Sequence, residues 1–387
     1  LLLALTYGKS GTVTVSLPHG VFRGPGLTTA RRTWHNGRLL RGGSWQLMRI
    51  VVIRFSSLGD CTLLCPFLEH LKNHGAEEVS VVTKRAYVEL FSAARGVDRI
   101  VAIDERAGWR GLAQLIKALR PRESVIIDAH NSVRSRVLAG ALGGAHARIK
   151  KYYRERLGLI LFKHRRPVPA VSERYCRLGE ELGFPPVPVR AGGIDVPASA
   201  AAMIGARLEG VTEDTVAVAP GARWPMKRWG EDKFGELARR LVEHYGYHLI
   251  LLGDRMDVQE ADRIAAPLGD RVTNLTGRTG VLGAAAAIQH SVAFIGNDSG
   301  LMHLAEAVGV PVVALFGPTV EAFGYYPSLE ASKVIERDIP CRPCSRNGSR
   351  PCPKGTQECL TAIPVQPVER AFADLLHNRG PARRVVN

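Results

Sequence analysis

Short runs of apolar, mostly β-branched residues recur along this chain, each bounded by turn-forming residues and alternating with stretches of helical spacing. They are RIVVIRF (49–55), EVSVVT (78–83), RIVAID (99–104) and SVIIDA (124–129) in the first half. TVAVAP (215–220), HLILLG (248–253), RVTNLTG (271–277), SVAFIG (291–296) and VVALFG (312–317) follow in the second. Runs this short and apolar fit strands buried on both faces, as in a parallel sheet covered by helices. Such strand–helix–strand crossovers are right-handed, so the turns leaving the strands gather on one sheet edge, where open α/β sheets bind ligands. The pattern predicts an α/β protein with two doubly wound sheets, and GNDSGLMHLAEAVGVPVVALFGPT (296–319) is its sharpest strand, turn, helix and strand unit.

A chain of 387 residues with 45% hydrophobic content can bury a large core and exceeds the usual single-domain size. The Pro-rich FPPVPVRAGGIDVP (184–197) reads as the linker, giving domains at 48–190 and 191–387. Residues 1–47 carry no acid and no sustained periodicity, and a strand begins cleanly at Met48. They are expected to be a non-domain extension, with Met48 the natural start. No apolar run approaches the roughly 20 residues that span a bilayer.

The net charge of +16 sits in the first half: +6 over residues 1–47, +11 over 48–192 and −1 over 193–387. A basic first domain beside a neutral second one points to an anionic partner, with solubility as the plain alternative. No RNP, helix-turn-helix or finger pattern accompanies the charge, which argues against nucleic acid. No G-x-G-x-x-G follows a strand, and neither G-x-x-x-x-G-K-[ST] nor D-x-D occurs. Dinucleotide and P-loop chemistry therefore have no support, and metal-dependent sugar transfer of the D-x-D kind is weakened.

Three blocks carry a resemblance. MRIVVIRFSSLGDCTLLCPFL (48–68), PGARWPMKRWGEDKFGELARRL (220–241) and residues 296–319 resemble, in order and spacing, the signatures of glycosyltransferase family 9, the ADP-heptose:lipopolysaccharide heptosyltransferases. The resemblance implies a GT-B fold, two facing Rossmann-like domains with a cleft between them. It further implies inverting, metal-independent heptose transfer with no cofactor required for catalysis, ADP-heptose on the second domain and a phosphorylated lipopolysaccharide inner-core acceptor on the first. Such a protein is cytoplasmic and peripheral at the inner membrane of a Gram-negative bacterium. Two other readings are a transferase of the same fold using another nucleotide sugar, and a non-catalytic basic binding protein with a cysteine-bound structural metal.

A departing nucleoside diphosphate needs positive charge, and the backbone N–H groups of Ser299, Gly300 and Leu301 open a helix suited to supply it. Gly300 is expected to let the backbone approach the ligand. Asp298 would repel phosphate, so the resemblance gives it the donor sugar hydroxyls, against a plain N-cap. His303 lies one turn further on, and only the resemblance lifts it above a structural histidine. Lys227 offers a point charge to the diphosphate, Arg228 shares that work, and Gly317, Pro318 and Thr319 close the donor pocket. Asp254 or Glu260 is placed for the ribose, with no preference between them.

In the first domain the resemblance makes Asp60 the base that takes the acceptor proton, and an N-cap is its structural alternative. Ser56 and Ser57 are expected to hold acceptor or phosphate oxygens, or else to form the turn. RIKKYYRERLGLILFKHRR (148–166) mixes eight Lys or Arg with apolar and aromatic residues. It suits a segment meeting a phosphorylated sugar-lipid and an anionic membrane surface, with Lys150, Lys151 and Arg154 as acceptor contacts. Asn131 and Arg134 in HNSVRSR are further acceptor candidates. Finally, Cys341, Cys344, Cys352 and Cys359 lie in a loop (341–359) almost without apolar residues. A structural zinc or iron–sulfur site, a disulfide arrangement and a solvated loop of free thiols are three open readings there, none of them catalytic.

Overall fold

The computed structural model describes residues 4–7, 13–16, 48–104, 108–119, 124–143, 146–163, 167–186 and 191–377. Within it the chain forms two compact units. One comprises Leu1–Ser56, Phe67–Lys150 and Tyr175–Val187; the other comprises Ser57–Pro66, Lys151–Arg174 and Pro188–Asn387. The break near Val187 falls in the Pro-rich stretch, of which residues 187–190 lie outside the described residues. The loop carrying Asp60 and most of the basic stretch thus belong to the second unit, where sequence order alone puts them in the first.

Among the described residues the first unit is built on seven strands: β1 (Ala4–Tyr7), β2 (Val13–Ser16), β3 (Met48–Ile53), β4 (Ala76–Lys84), β5 (Arg99–Ile103), β6 (Ser124–Asp128) and β7 (His146–Arg148). Their order is β1-β2-β5-β4-β3-β6-β7. From β5 to β7 every pair is parallel, with Ile50 opposite both Val79 and Val125. The stretch 1–47 was expected to stand outside the fold, yet β2 from it pairs antiparallel with β5, and β1 with β2. Alternating Val and Thr in TVTVS have strand propensity, and the edge of β5 offers unpaired backbone groups to receive them. The remainder of 1–47 lies outside the described residues.

The second unit holds six described strands, all parallel: β8 (Thr215–Ala219), β9 (His248–Leu251), β10 (Val272–Asn274), β11 (Ala293–Asn297), β12 (Val312–Phe316) and β13 (Lys333–Glu336), ordered β10-β9-β8-β11-β12-β13. The order reverses at β8 and β11, the switch point at which ligands of such sheets bind. β8, β9, β11 and β12 are buried throughout, as their Val, Ile and Leu content requires. The helix Glu231–Glu243 buries Phe234, Leu237, Ala238 and Leu241, one helical face, against this sheet, where Phe372 and Leu375 of the closing helix Val365–His377 join it.

Two details differ from the sequence expectation. CTLLCPFLEHLKNHG (61–75), whose sequence reads as one helix closed by Gly75, falls in two, Leu58–Thr62 and Cys65–Asn73. Pro66 lacks the N–H that would continue the first helix into the second. The edge strands β7 and β13 gave no signal, because HAR and KVIE are too short and too polar to read as buried runs. Among the described residues no helix is long and apolar enough to cross a membrane.

Candidate functional site

The turn after β11 is held by Asn297, which is fully buried. Its side chain donates to Pro220 O (2.6 Å) and accepts from Trp229 N (3.1 Å), tying the turn to the loop that leaves β8. Because Asn297 takes the backbone work, the next carboxylate is left for other partners. Asp298 Oδ2 accepts from Thr319 Oγ1 at 2.7 Å and lies 2.5 Å from Lys227 Nζ. Asp298 is 5% exposed, so this ion pair is largely shielded from solvent. Ser299 is the N-cap of the helix Gly300–Ala307. The first N–H groups of that helix, those of Gly300 and Leu301 among them, have no intrahelical acceptor. Ser299 Oγ and His303 Nδ1, both buried, also have no hydrogen-bond partner among the described residues. Polar groups of both kinds and a lysine thus gather at one strand end.

Gly300 has a packing role of its own. A Cβ there would come within 2.8 Å of the Leu58 side chain, so the missing side chain lets the short helix Leu58–Thr62 pack on the helix Gly300–Ala307. That packing brings Asp60 to the site. Asp60 accepts from Ser57 Oγ (2.9 Å) and Ser57 N (3.4 Å) through one oxygen and from Tyr325 OH (3.2 Å) through the other. The capping role and a position beside the turn after β11 therefore coexist in one carboxylate. His303 lies against this loop, since a Cβ on Gly59 would sit 2.5 Å from its ring. Burial drives the His303 pKa down to about 4, against the opposing pull of Asp298 and Asp60 and with a small push from Lys227. The imidazole is neutral at physiological pH.

Lys227 ends the turn Pro225–Lys227, and Arg228 follows it. Arg228 is already engaged: its guanidinium meets Asp257 and Glu260, each at 2.7 Å, and donates to Ala222 O at 2.9 Å. It braces the loop after β8. Glu260 is thereby occupied, and Asp254 accepts from Met256 N at 2.7 Å within its own turn.

Gly317, Pro318 and Thr319 follow β12. Their carbonyls are held by the cysteine loop: Arg342 donates to Gly317 O (2.5 Å) and Thr319 O (2.8 Å), and Cys344 N to Pro318 O (3.3 Å). Gly317 has no room for a side chain, since a Cβ would meet Leu360 at 2.6 Å. The same loop backs Lys227, whose stem packs against Gly348. Sequence reading named neither Tyr325 nor Arg342. Tyr325 follows no strand or turn motif, and Arg342 is hidden between two cysteines that drew attention to themselves.

The acceptor candidates divide between the units. In the first, Ser56 is half-buried and Arg134 exposed. Asn131, with a positive φ of 53°, donates to Ile149 O (2.7 Å) and accepts from Arg136 (2.8 Å), which makes it a turn-former. Lys150 ends the second segment of that unit and is exposed. In the second, Lys151 Nζ lies 5.8 Å over the Tyr153 ring and Arg154 is exposed. His164–Arg166 of the basic stretch lie outside the described residues. All four late cysteines are free thiols, and among the described residues no group of three or more His, Cys, Asp or Glu is placed to hold a metal ion.

Comparison with known proteins gives the family and the fold. Lipopolysaccharide heptosyltransferase 2 of Escherichia coli is 38% identical over 109 residues, which are 27% of this chain and only 31% of that protein's length. Lipooligosaccharide heptosyltransferase 2 of Haemophilus ducreyi is 28% identical over 317 residues, 76% of this chain and 89% of the relative. Among solved structures, a family 9 glycosyl transferase from Veillonella parvula superposes with TM-score 0.73 at 22% identity, covering 86% of this chain and 98% of that one. E. coli ADP-heptose lps heptosyltransferase II gives 0.65 at 24%, covering 86% and 100%. The iron-containing dodecameric glycosyltransferase TibC of enterotoxigenic E. coli gives 0.51 at 15%, covering 86% and 77%. The fold is the GT-B type, with a Rossmann-like sheet in each unit. The model of glycosyltransferase family 9 (heptosyltransferase) matches residues 112–353, more than half of the sequence, and the chain belongs to that family.

Proposed function

We propose that this chain transfers heptose from ADP-heptose to a lipopolysaccharide inner-core acceptor, with inversion at the anomeric carbon and without a metal ion at the diphosphate. The observation that carries the reading is the Lys227–Asp298 pair, 2.5 Å apart at the N-terminus of the helix Gly300–Ala307, in the same unit as Asp60. The names of the relatives support the acceptor, and the name of the E. coli structure supports the donor.

In this reading an acceptor hydroxyl oxygen bonds to the anomeric carbon as the bond from that carbon to the β-phosphate oxygen breaks on the opposite face. The electron pair leaves with ADP. Lys227 and the N–H groups of Ser299, Gly300 and Leu301 stabilise that charge, with Gly317, Pro318 and Thr319 closing the pocket. Asp298 exchanges its lysine for donor sugar hydroxyls. The acceptor proton passes to Asp60, which Tyr325 and Ser57 hold in place. A weak base suffices when the proton leaves late, after the anomeric carbon has become cation-like.

The test is turnover with ADP-heptose against other nucleotide sugars, in wild type and in two variants. Asp60→Ala should lower turnover about 100-fold or more while leaving donor affinity nearly intact. Lys227→Ala should weaken plain ADP binding. Unchanged turnover in the first removes the base assignment, and preference for another nucleotide sugar moves the chain to a different donor.

We also propose a structural metal on Cys341, Cys344, Cys352 and Cys359. As they stand the thiols are not grouped around a common point. They do lie within one another's electrostatic reach: burial and then Cys344 raise the Cys359 pKa to about 11, and Cys341 and Cys352 add to both that shift and the rise at Cys344. The iron-containing relative of the same fold lends further support. Anaerobically purified protein should carry about one zinc or one cluster, lost in Cys341→Ser/Cys344→Ser. Absence of metal with four alkylatable thiols would leave a solvated loop.

A further inference from the structure

The helix Tyr153–Phe162 buries little of its own surface. Leu159, 3% exposed, faces inward, while Tyr153, Leu157 and Leu161 stand 51%, 49% and 60% exposed. These three recur at four-residue spacing and so form one outward stripe. Phe162, 67% exposed, is the last residue of the helix and lies about 100° around from Leu161, off the stripe. Side chains this apolar, clustered on one face, are not the scattered surface leucines that need no explanation.

Charge is segregated about the stripe. Arg154 is exposed and lies about 60° around the helix from Leu157. The Tyr153 ring is flanked by Lys151 Nζ at 5.8 Å and the Arg346 guanidinium at 5.6 Å. Glu155, the one acid between residues 148 and 166, is instead on the opposite side. There it lines a groove of about 300 Å³ with Leu159, Pro167 and Val168. Two other cations of the segment face inward. Arg156 stacks 5.1 Å over Phe323, and Lys163 Nζ donates to Cys341 O (3.0 Å) and Pro343 O (2.7 Å), which fixes both ends of the helix to the body of the unit.

We propose that this face is a membrane foot that seats the second unit on the surface of an anionic bilayer. The helix is too short to span, and its apolar stripe with an aromatic ring at its start and cations along the flank matches the interfacial zone, where rings and aliphatic chains enter among the headgroups and cations remain at phosphate level. Charge complementarity selects the bilayer over a second copy of this chain, since a symmetric partner would bring the same Lys151, Arg154 and Arg346 against themselves.

The test is flotation of the full chain with vesicles of phosphatidylglycerol mixed with phosphatidylcholine, and with phosphatidylcholine alone. The wild type should favour the anionic vesicles, less so in high salt. Leu157→Ser/Leu161→Ser should bind them about ten-fold more weakly at an unchanged melting temperature. Failure of the wild type to bind either vesicle, or equal binding by the variant, overturns the proposal. Self-association of the wild type, lost in the variant and without vesicle binding, overturns it in favour of a second copy. If the double variant misfolds, Leu161→Trp decides: emission added by that indole should be quenched by brominated anionic lipid, and unquenched emission overturns the foot.

Discussion

Two strand ends, one in each unit, carry an aspartate followed by a polar turn and a helix, yet they spend that aspartate differently. After β6, Asp128 turns its carboxylate on its own turn. It accepts from His130 N (3.1 Å) and Asn131 N (2.7 Å) and pairs with Arg148 at 3.5 Å. After β11, Asn297 ties the turn, and Asp298 reaches Lys227 and Thr319 instead. A buried carboxylate is structural when backbone amides of its own loop hold it, as they hold Asp128 Oδ1, while Oδ2 has no hydrogen bond among the described residues and meets only the Arg148 charge. It becomes available to a ligand when an adjacent amide side chain has taken that work and its partners are side chains that can let go.

The largest effect expected from this difference is on acid stability, because the second turn packs a buried imidazole, that of His303, beside its carboxylate, where His130 in the first turn is only half-buried. The folded pKa of His303, about 4, lies below the ordinary 6.5, so the unfolded chain binds the extra proton. Stability from this group is fully present above about pH 6.5, falls as pH drops through the window, and stops falling below about 4. The loss amounts to about 3 kcal/mol. Denaturant unfolding of wild type and His303→Gln across this window should show a flatter profile in the variant. Parallel profiles would mean that His303 is protonated in the folded state.

Next is the exchange of the two aspartates. Asp298→Ala should lower kcat/KM for ADP-heptose about 100-fold, roughly 2.7 kcal/mol of transition-state binding, while leaving affinity for plain ADP close to wild type. Asp128→Ala should do the converse: about 2 kcal/mol of stability lost, because two turn amides lose their acceptor and Arg148 its ion-pair partner, with donor affinity unchanged. Steady-state kinetics and melting curves on both proteins check this. Equal losses of ADP affinity and stability in Asp298→Ala would make it a second Asp128, a cap and nothing more.

How much of this was legible beforehand follows from where the information lies. The buried strands announced themselves, since a parallel sheet demands continuous apolar runs, and RIVVIRF, TVAVAP, SVAFIG and VVALFG all became strands. The turn 297–300, Lys227 and Asp60 were named from strand-end position together with the family resemblance, and the structure gathers them in one unit. Partners were not legible. Nothing in the sequence says that Arg228 is saturated by Asp257 and Glu260, that Gly300 is small for Leu58, or that Tyr325 reaches Asp60 across 265 positions. β7 and β13 escaped for the opposite reason: edge strands are half-solvated and carry no apolar signature.

The smallest effect expected tests whether the second unit braces its site from outside. The turn after β6 holds itself, whereas the turn after β12 is clamped by Arg342, buried at 9% exposure, which joins Gly317 O, Thr319 O and Arg337 O to the Glu336 carboxylate at the end of β13. Lysine keeps the charge but cannot present the planar fork that reaches several acceptors at once. Arg342→Lys should therefore raise KM for the donor about ten-fold, roughly 1.4 kcal/mol, with kcat nearly unchanged, because the Thr319 that anchors Asp298 loosens while Asp60 and Tyr325 are untouched. Lys227→Ala run beside it separates the two ways of failing. If Lys227→Ala weakens ADP but Arg342→Lys leaves the KM for ADP-heptose unchanged, the clamp is only structural; if Lys227→Ala leaves ADP affinity unchanged as well, the donor lies elsewhere, and the contrast between the two strand ends goes with it.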